Sequence, residues 1–353
     1  VERLVPESEA ARTFERLRSA FERAAGQLPS GAEASYYVFG GHVARVRVGG
    51  QALCRELLGP FRHLRIARCP ARPPRLDVCL WDENETGVRA AGDEDPALGD
   101  EPLTDVADTG RFVLHRRPRS VAGLDRASGR IVGAVAWDDD VDVYERGKPL
   151  ARLLAEWYAD QALGVVHAGL VARGPRGVLL AGRGGSGKST LSLACARAGL
   201  DFLGEDYAAL EVPEDGRVIG HSVYNSVFLT PVAAGWFPEL AAAMRSSPTS
   251  GETKSLLLVA DAWPSRLRRS APIEALVICR VSDAGAVGVR TAGRAEALRA
   301  VAPSSLLGIH GRRTDSLERL SRLIERVPCY RLDLGGELAP AIAAVEGLLA
   351  RGA

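Results

Sequence analysis

Residues 182–189 read Gly-Arg-Gly-Gly-Ser-Gly-Lys-Ser and satisfy the pattern G-x-x-x-x-G-K-S/T in full. Each residue type has a chemical reason. Glycines let the backbone curl so that successive N–H groups point inward at phosphate oxygens. A helix starting at the end of the loop adds partial positive charge there. The Lys188 ammonium reaches β/γ oxygens, and the Ser189 hydroxyl is placed to ligand Mg²⁺. On this reading Gly182, Gly184, Gly185, Ser186, Gly187, Lys188, Ser189 and Thr190 hold the phosphates of ATP. The flanks agree. Residues 178–181 are an apolar run suited to a buried strand, and 188–198 place Leu191, Ala194, Cys195 and Ala198 on one helical face, with Gly199 as the stop.

The same stretch also satisfies the dinucleotide fingerprint G-x-G-x-x-G through Gly182, Gly184 and Gly187. That reading gives no role to Lys188 and Ser189, so the triphosphate reading is preferred. A GTPase base reader, Asn-Lys-x-Asp, is missing: Asn84 and Asn225 are the only asparagines and neither fits. No downstream apolar strand ends in Asp, since 276–279 run into Arg280. The acids come early instead. Glu205 and Asp206 follow Lys188 by 17 and 18 residues, after one helix and one strand, and His167 precedes Lys188 by 21. Phosphoryl transfer needs charge neutralisation and alignment, and a hydroxyl nucleophile benefits from a carboxylate that takes its proton. We read Glu205 as that base and Asp206, with Ser189, as metal-side ligands, with the reverse assignment of the two acids left open.

Val166-His167-Ala168-Gly169, the loop 182–190 and Leu203-Gly204-Glu205-Asp206-Tyr207 resemble the catalytic domain of the HPr kinase/phosphorylase family. A more distant resemblance is to ATP-dependent phosphoenolpyruvate carboxykinase. His-Ser-Val-Tyr-Asn at 221–225 and the tail 327–335 are similar to a broader bacterial group of HPr-kinase-like proteins, so that the resemblance covers roughly 145–350. It implies ATP and Mg²⁺ as cofactors, a phosphate- or metal-contacting role for His167, and catalytic roles for Glu205, Asp206 and Lys188. That family normally has Asp at both acid positions, and Glu205 is one methylene longer.

The elements that must position these groups are legible as periodicity. Residues 8–25 read as an amphipathic helix through Ala11, Phe14, Leu17, Phe21 and Ala24. Strand-like runs follow at 35–39, 42–48, 64–67, 76–81, 112–115, 131–137 and 141–144, with Asp138-Asp139-Asp140 as a hairpin turn. Between Asp82 and Asp108 lie ten carboxylates and one arginine, which reads as a solvated loop, with a cation site as the sharper alternative. Residues 149–163 look helical; then 165–172, 178–181, 200–203, 273–279 and 329–334 read as strands, and 317–327 and 339–350 as helices. The expected fold is an α/β P-loop catalytic domain of HPr-kinase type at 149–353, preceded by a mostly β (α+β) domain at 1–148.

Composition sets the outer bounds. The chain has 353 residues, 46% hydrophobic and 25% charged, with ample length for a buried core. A net charge of +1 gives no global pull toward nucleic acid or membrane, and the local patch Arg116, Arg117 and Arg119 reads as a solvated face. Six cysteines without a C-x-x-C pair, no leader-like segment and no long apolar run lead to the expectation of a cytoplasmic protein with reduced thiols.

The leading functional expectation is an ATP-dependent kinase acting on a hydroxyl of a protein, peptide or small molecule, with a homo-oligomer left open. A nucleotide-binding regulatory protein and a phosphorylase or hydrolase on the same frame are the alternatives. One further residue stands out by composition. Only three of the 45 basic residues are lysines, Lys148, Lys188 and Lys254. Lys254 follows the small polar run 246–251, which reads as a lid loop, and is expected to meet a phosphate or the acceptor. A solvated loop-end lysine is the plainer alternative.

Overall fold

The computed structural model describes residues 2–3, 5–28, 31–67, 71–90, 105–246, 254–282, 287–307 and 313–351. The chain forms two compact units, Val1–Gly59 with Leu64–Trp157, and Pro60–His63 with Tyr158–Ala353. The division falls inside the helix Ala151–Asp160, a little beyond the 148/149 boundary read from sequence. The tetrapeptide Pro60–His63 belongs to the second unit, which no local sequence feature signals.

The first unit is built on a sheet of β1 (Glu2–Arg3), β2 (Ala34–Phe39), β3 (His42–Gly49), β4 (Arg65–Ile66), β5 (Leu76–Asp82), β6 (Asp105–Asp108), β7 (Phe112–Arg117), β8 (Ser120–Asp125) and β9 (Arg130–Val135). Their order is β1-β6-β7-β8-β9-β5-β3-β2-β4. β5 pairs parallel with β3 and β9, and hairpins supply the antiparallel neighbours. Helix Glu7–Gln27 lies on one face because Ala10, Phe14, Leu17, Phe21 and Ala24 recur every three or four residues; they pack on Cys79, Trp81, Leu114 and Val132. Each such large side chain taken out of water contributes about 1.5–3 kcal/mol.

Residues 141–144 are not the strand their apolar alternation predicts. The Asp142 carboxylate accepts the N–H groups of Tyr144 and Glu145 and caps a short helix, Val143–Gly147. A side-chain cap that satisfies two orphan donors outweighs weak β propensity. Asp138 and Asp140 sit in the turn before it and pair with Arg119. Among the described residues no group of three or more His, Cys, Asp or Glu side chains could hold a metal ion. Most of the acidic stretch, 91–104, lies outside the described residues.

The second unit is a mixed α/β assembly. Its strands are β10 (Leu163–Val166), β11 (Gly169–Arg173), β12 (Arg176–Ala181), β13 (Asp201–Gly204), β14 (Ala208–Glu211), β15 (Ile219–Ser222), β16 (Ser226–Leu229), β17 (Arg245–Ser246), β18 (Ser255–Leu258), β19 (Ser270–Val281), β20 (Gly288–Thr291) and β21 (Cys329–Leu334). The main sheet runs β10-β14-β15-β19-β12-β11-β13, with β21 also on β19 and β20 on β21. β12, β19 and β21 are mutually parallel.

Alternation along these strands splits the core. Leu179, Ala181, Leu276 and Ile278 pack under helices Arg294–Leu307 and Arg313–Arg326, while Val178, Leu180, Val277 and Cys279 pack under helices Lys188–Arg197 and Leu338–Arg351. A small sheet, β16-β18-β17, lies against the helix Lys188–Arg197 through Val227, Leu229 and Leu257. Among the described residues no helix is long and apolar enough to cross a membrane. Cys54, Cys79, Cys195, Cys279 and Cys329 carry no disulfide, and Cys69 lies outside the described residues.

Candidate active site

The loop 182–189 joins the central strand β12 to the helix Lys188–Arg197. Gly182, Gly185 and Gly187 have φ of +147°, +76° and +88°. Gly182 is sterically obligatory as well, and Gly187 is crowded by the movable end of a side chain. A Cβ on Gly182 would stand 2.5 Å from Ser186 Oγ and 2.8 Å from the Cys279 carbonyl oxygen, and one on Gly187 would stand 2.5 Å from Leu334 Cδ1. Ser186 Oγ is buried without a hydrogen-bond partner. Lys188 is only 5% exposed, and its ammonium donates to the carbonyls of Gly182 at 2.8 Å and Arg183 at 3.1 Å. Burial lowers its pKa; the charge of Glu205 works against that shift and the charge of Lys254 adds to it.

Glu205 and Asp206 leave the end of β13 in different directions. Glu205 is buried: Oε2 accepts the Ser189 hydroxyl at 2.5 Å and Oε1 accepts the Phe228 N–H of β16 at 3.0 Å. Asp206 turns instead to His167, with Oδ1 2.5 Å from Nε2, and both side chains stay about one-fifth exposed. His167 sits in a two-residue break between β10 and β11, inside the run 165–172 that reads as one strand. Its backbone N–H donates to the buried Ser305 hydroxyl at 3.0 Å. The structure therefore brings Lys188, Ser189 and Glu205 into one cluster and sets the His167–Asp206 pair directly beside it.

The motif at 221–225 is anchored to the tetrapeptide Pro60–His63. Asn225 is fully buried and held at both ends of its amide: its backbone N–H and its amide both donate to the Pro60 carbonyl, and its Oδ1 accepts the Ala260 N–H. His63 Nε2 lies 2.7 Å from Ser222 Oγ, and Arg62 pairs with Asp261 at 2.7 Å. The rings of His167, Tyr207, Tyr224 and Phe61 follow one another at centroid spacings of 6.4, 6.3 and 5.2 Å. Sequence reasoning missed Phe228, Ser305 and Pro60–His63 altogether. Phe228 acts through its backbone and the others through long-range contacts, so neither leaves a local signal. Gly184 and Thr190 make no described polar contact, and the run 247–253 before Lys254 lies outside the described residues.

No family model matches the chain, and no curated protein matches it. Among solved structures the chain is similar to the Hpr(Ser) kinase/phosphatase from Coxiella burnetii, at 17% identity and a TM-score of 0.31, covering 52% of this chain and 87% of that one. A likeness this slight carries no argument about function, which has to come from the side chains.

Proposed function

We propose that the second unit binds a nucleoside triphosphate with Mg²⁺ at the loop 182–189 and transfers the terminal phosphoryl group to a hydroxyl. The observation that supports this best is the part-buried Ser189–Glu205 hydrogen bond at 2.5 Å, with Lys188 folded onto the same loop. A hydroxyl and a carboxylate held together at the head of a glycine-rich loop fit a hard cation that prefers oxygen ligands. Ser189 and Glu205 would hold Mg²⁺, which when bound supplies charge neutralisation on the phosphates. The partnerless Ser186 hydroxyl and the inward-curled glycines fit phosphate oxygens.

This assignment takes up the alternative that the sequence left open for the two acids. Glu205 has both oxygens engaged by Ser189 and Phe228, which suits a fixed ligand better than a base. Asp206 is partly exposed and oriented by His167, which suits proton acceptance from an incoming hydroxyl. The acceptor oxygen attacks phosphorus, its proton passes to the Asp206 carboxylate, and the nucleoside diphosphate leaves. His167 positions Asp206 through Nε2.

The test is transfer of labelled γ-phosphate from ATP, with Mg²⁺, into a lysate of the source. A labelled product is expected. Asp206→Asn should abolish labelling while ATP still binds, and Glu205→Gln should weaken binding of the Mg²⁺ complex itself. Phosphate release alone would favour a hydrolase, and binding without turnover a regulatory protein. A folded protein that binds neither ATP nor GTP would overturn the reading.

A further inference from the structure

We infer that the nucleotide carries a purine base, and that the base is seated on an apolar shelf of Val281, Leu334 and Val287 beside the phosphate loop. This names a further part of the site in the triphosphate reading above and rests on that reading. Strand register builds the shelf. Ala181, the last residue of β12, lies opposite Ile278 of β19, and Val281, the last residue of β19, lies opposite Leu334 of β21. Residues 279–281 of β19 therefore run on past the end of β12, roughly 10 Å at about 3.3 Å per residue, alongside the loop. A Cβ on Gly182 would stand 2.8 Å from the Cys279 carbonyl oxygen. One on Gly187 would stand 2.5 Å from Leu334 Cδ1 and 3.7 Å from Val281 Cγ2, so these two side chains flank the loop at the residue before Lys188. Val287 stands immediately before β20, whose Gly288 pairs with Asp333, and it packs against the core cluster that contains Leu334.

Val281 is 55% exposed, on a floor that is packed. A lone exposed valine needs no explanation. This one stands at the C-terminal ends of the parallel strands β12, β19 and β21, the edge at which open α/β sheets bind their ligands. The order of strands gives the nucleotide its direction. The sheet runs β19-β12-β11-β13, with β21 on the far side of β19. The loop leaves β12, the acids Glu205 and Asp206 follow β13, and His167 precedes β11. A terminal phosphoryl group that points toward Asp206 therefore lies on the β11–β13 flank. The other end of the same molecule is carried toward the opposite flank, where Val281 and Leu334 lie. Aliphatic side chains at that position suit the face of a flat ring, and a purine covers more of them than a pyrimidine does.

The test measures binding of ATP, CTP and inorganic tripolyphosphate, each with Mg²⁺, by calorimetry, and the melting temperature without ligand, for wild type, Val281→Ser and Val281→Ile. Tripolyphosphate has the phosphates and no base. Wild type should bind ATP more tightly than CTP, and CTP more tightly than tripolyphosphate. Loss of the apolar contact predicts roughly 5- to 20-fold weaker ATP binding in Val281→Ser. Tripolyphosphate binding should be unchanged there, and Val281→Ile should keep the ATP affinity of wild type. The melting temperature should hold in both variants, because the side chain is exposed. Unchanged ATP affinity in Val281→Ser overturns the inference. Equal losses for ATP and tripolyphosphate also overturn it, since they would place Val281 in support of the loop and not under the base. Wild-type protein that binds ATP no better than CTP overturns the purine assignment. Tripolyphosphate bound as tightly as ATP overturns the shelf and leaves the phosphate site standing, whereas protein that binds none of the three overturns the triphosphate reading with it.

Discussion

Glu205 is the most informative residue to perturb, because its two oxygens do two separable things. Truncation by Glu205→Ala leaves the Phe228 N–H without its acceptor inside a buried strand, and leaves the Ser189 hydroxyl without its own. A buried donor deprived of its partner costs about 1–3 kcal/mol. Ser189 is only half-buried and turns to water more easily, so it adds less. The expected loss is about 2–3 kcal/mol in total. Glu205→Gln behaves differently. Its amide oxygen still accepts from Phe228, its NH₂ donates to a rotated Ser189 hydroxyl, and the volume is unchanged. Stability should stay within about 1 kcal/mol of wild type. The negative charge is gone, however, so Mg²⁺-dependent nucleotide binding should fall by about 100-fold, the size expected when one partner of a charge-assisted pair is lost. Urea denaturation gives the first quantity and calorimetry with Mg-ATP the second. A Glu205→Ala protein as stable as wild type, or a Glu205→Gln protein that binds Mg-ATP undiminished, would refute the placement of Glu205 as the metal-side anchor.

Other expectations follow from single contacts. Lys188→Ala should abolish tight nucleotide binding while the protein stays folded, since only two loop carbonyls lose a donor; undiminished ATP affinity by calorimetry would argue against the loop. His63 is held neutral, its pKa pushed down to about 3 by burial with Arg269 adding to the effect. The unfolded chain takes up a proton below about pH 6.5 and the folded one does not, so stability is full above that pH and is lost as pH falls toward 3. Because the residue is partly exposed, the loss at pH 5 should be on the order of 1–2 kcal/mol, and His63→Gln should flatten this part of the urea-midpoint profile. Asn225→Ala leaves the Ala260 N–H without its acceptor and halves the grip on Pro60, and should lower stability by about 2 kcal/mol in equilibrium unfolding. Phe21→Ala in the first unit opens a cavity against Trp81 and should cost about 3–5 kcal/mol, read by the same method.

Local chemistry was legible in the sequence. The loop 182–189 is contiguous, and Gly182, Gly185 and Gly187 take backbone angles that only glycine adopts comfortably. The helix over Ala10–Ala24, the strand Cys329–Leu334 and the helices that end the chain follow from periodicity, because burying one face repeats every two or three to four residues. Residues 141–144 show where this fails, since a single capping carboxylate redirected an apolar run. The sequence also placed Glu205 and Asp206 beside the loop, but not which one faces it. Consecutive residues at a strand end point to opposite sides, and the choice between Ser189 and His167 was made by where β16 and the break after β10 lie in space. The same holds for Asn225 and Pro60, about 165 residues apart in the chain yet joined by two hydrogen bonds. Hydrogen bonds of that span leave no period and no local spacing, so only the tertiary structure could decide them.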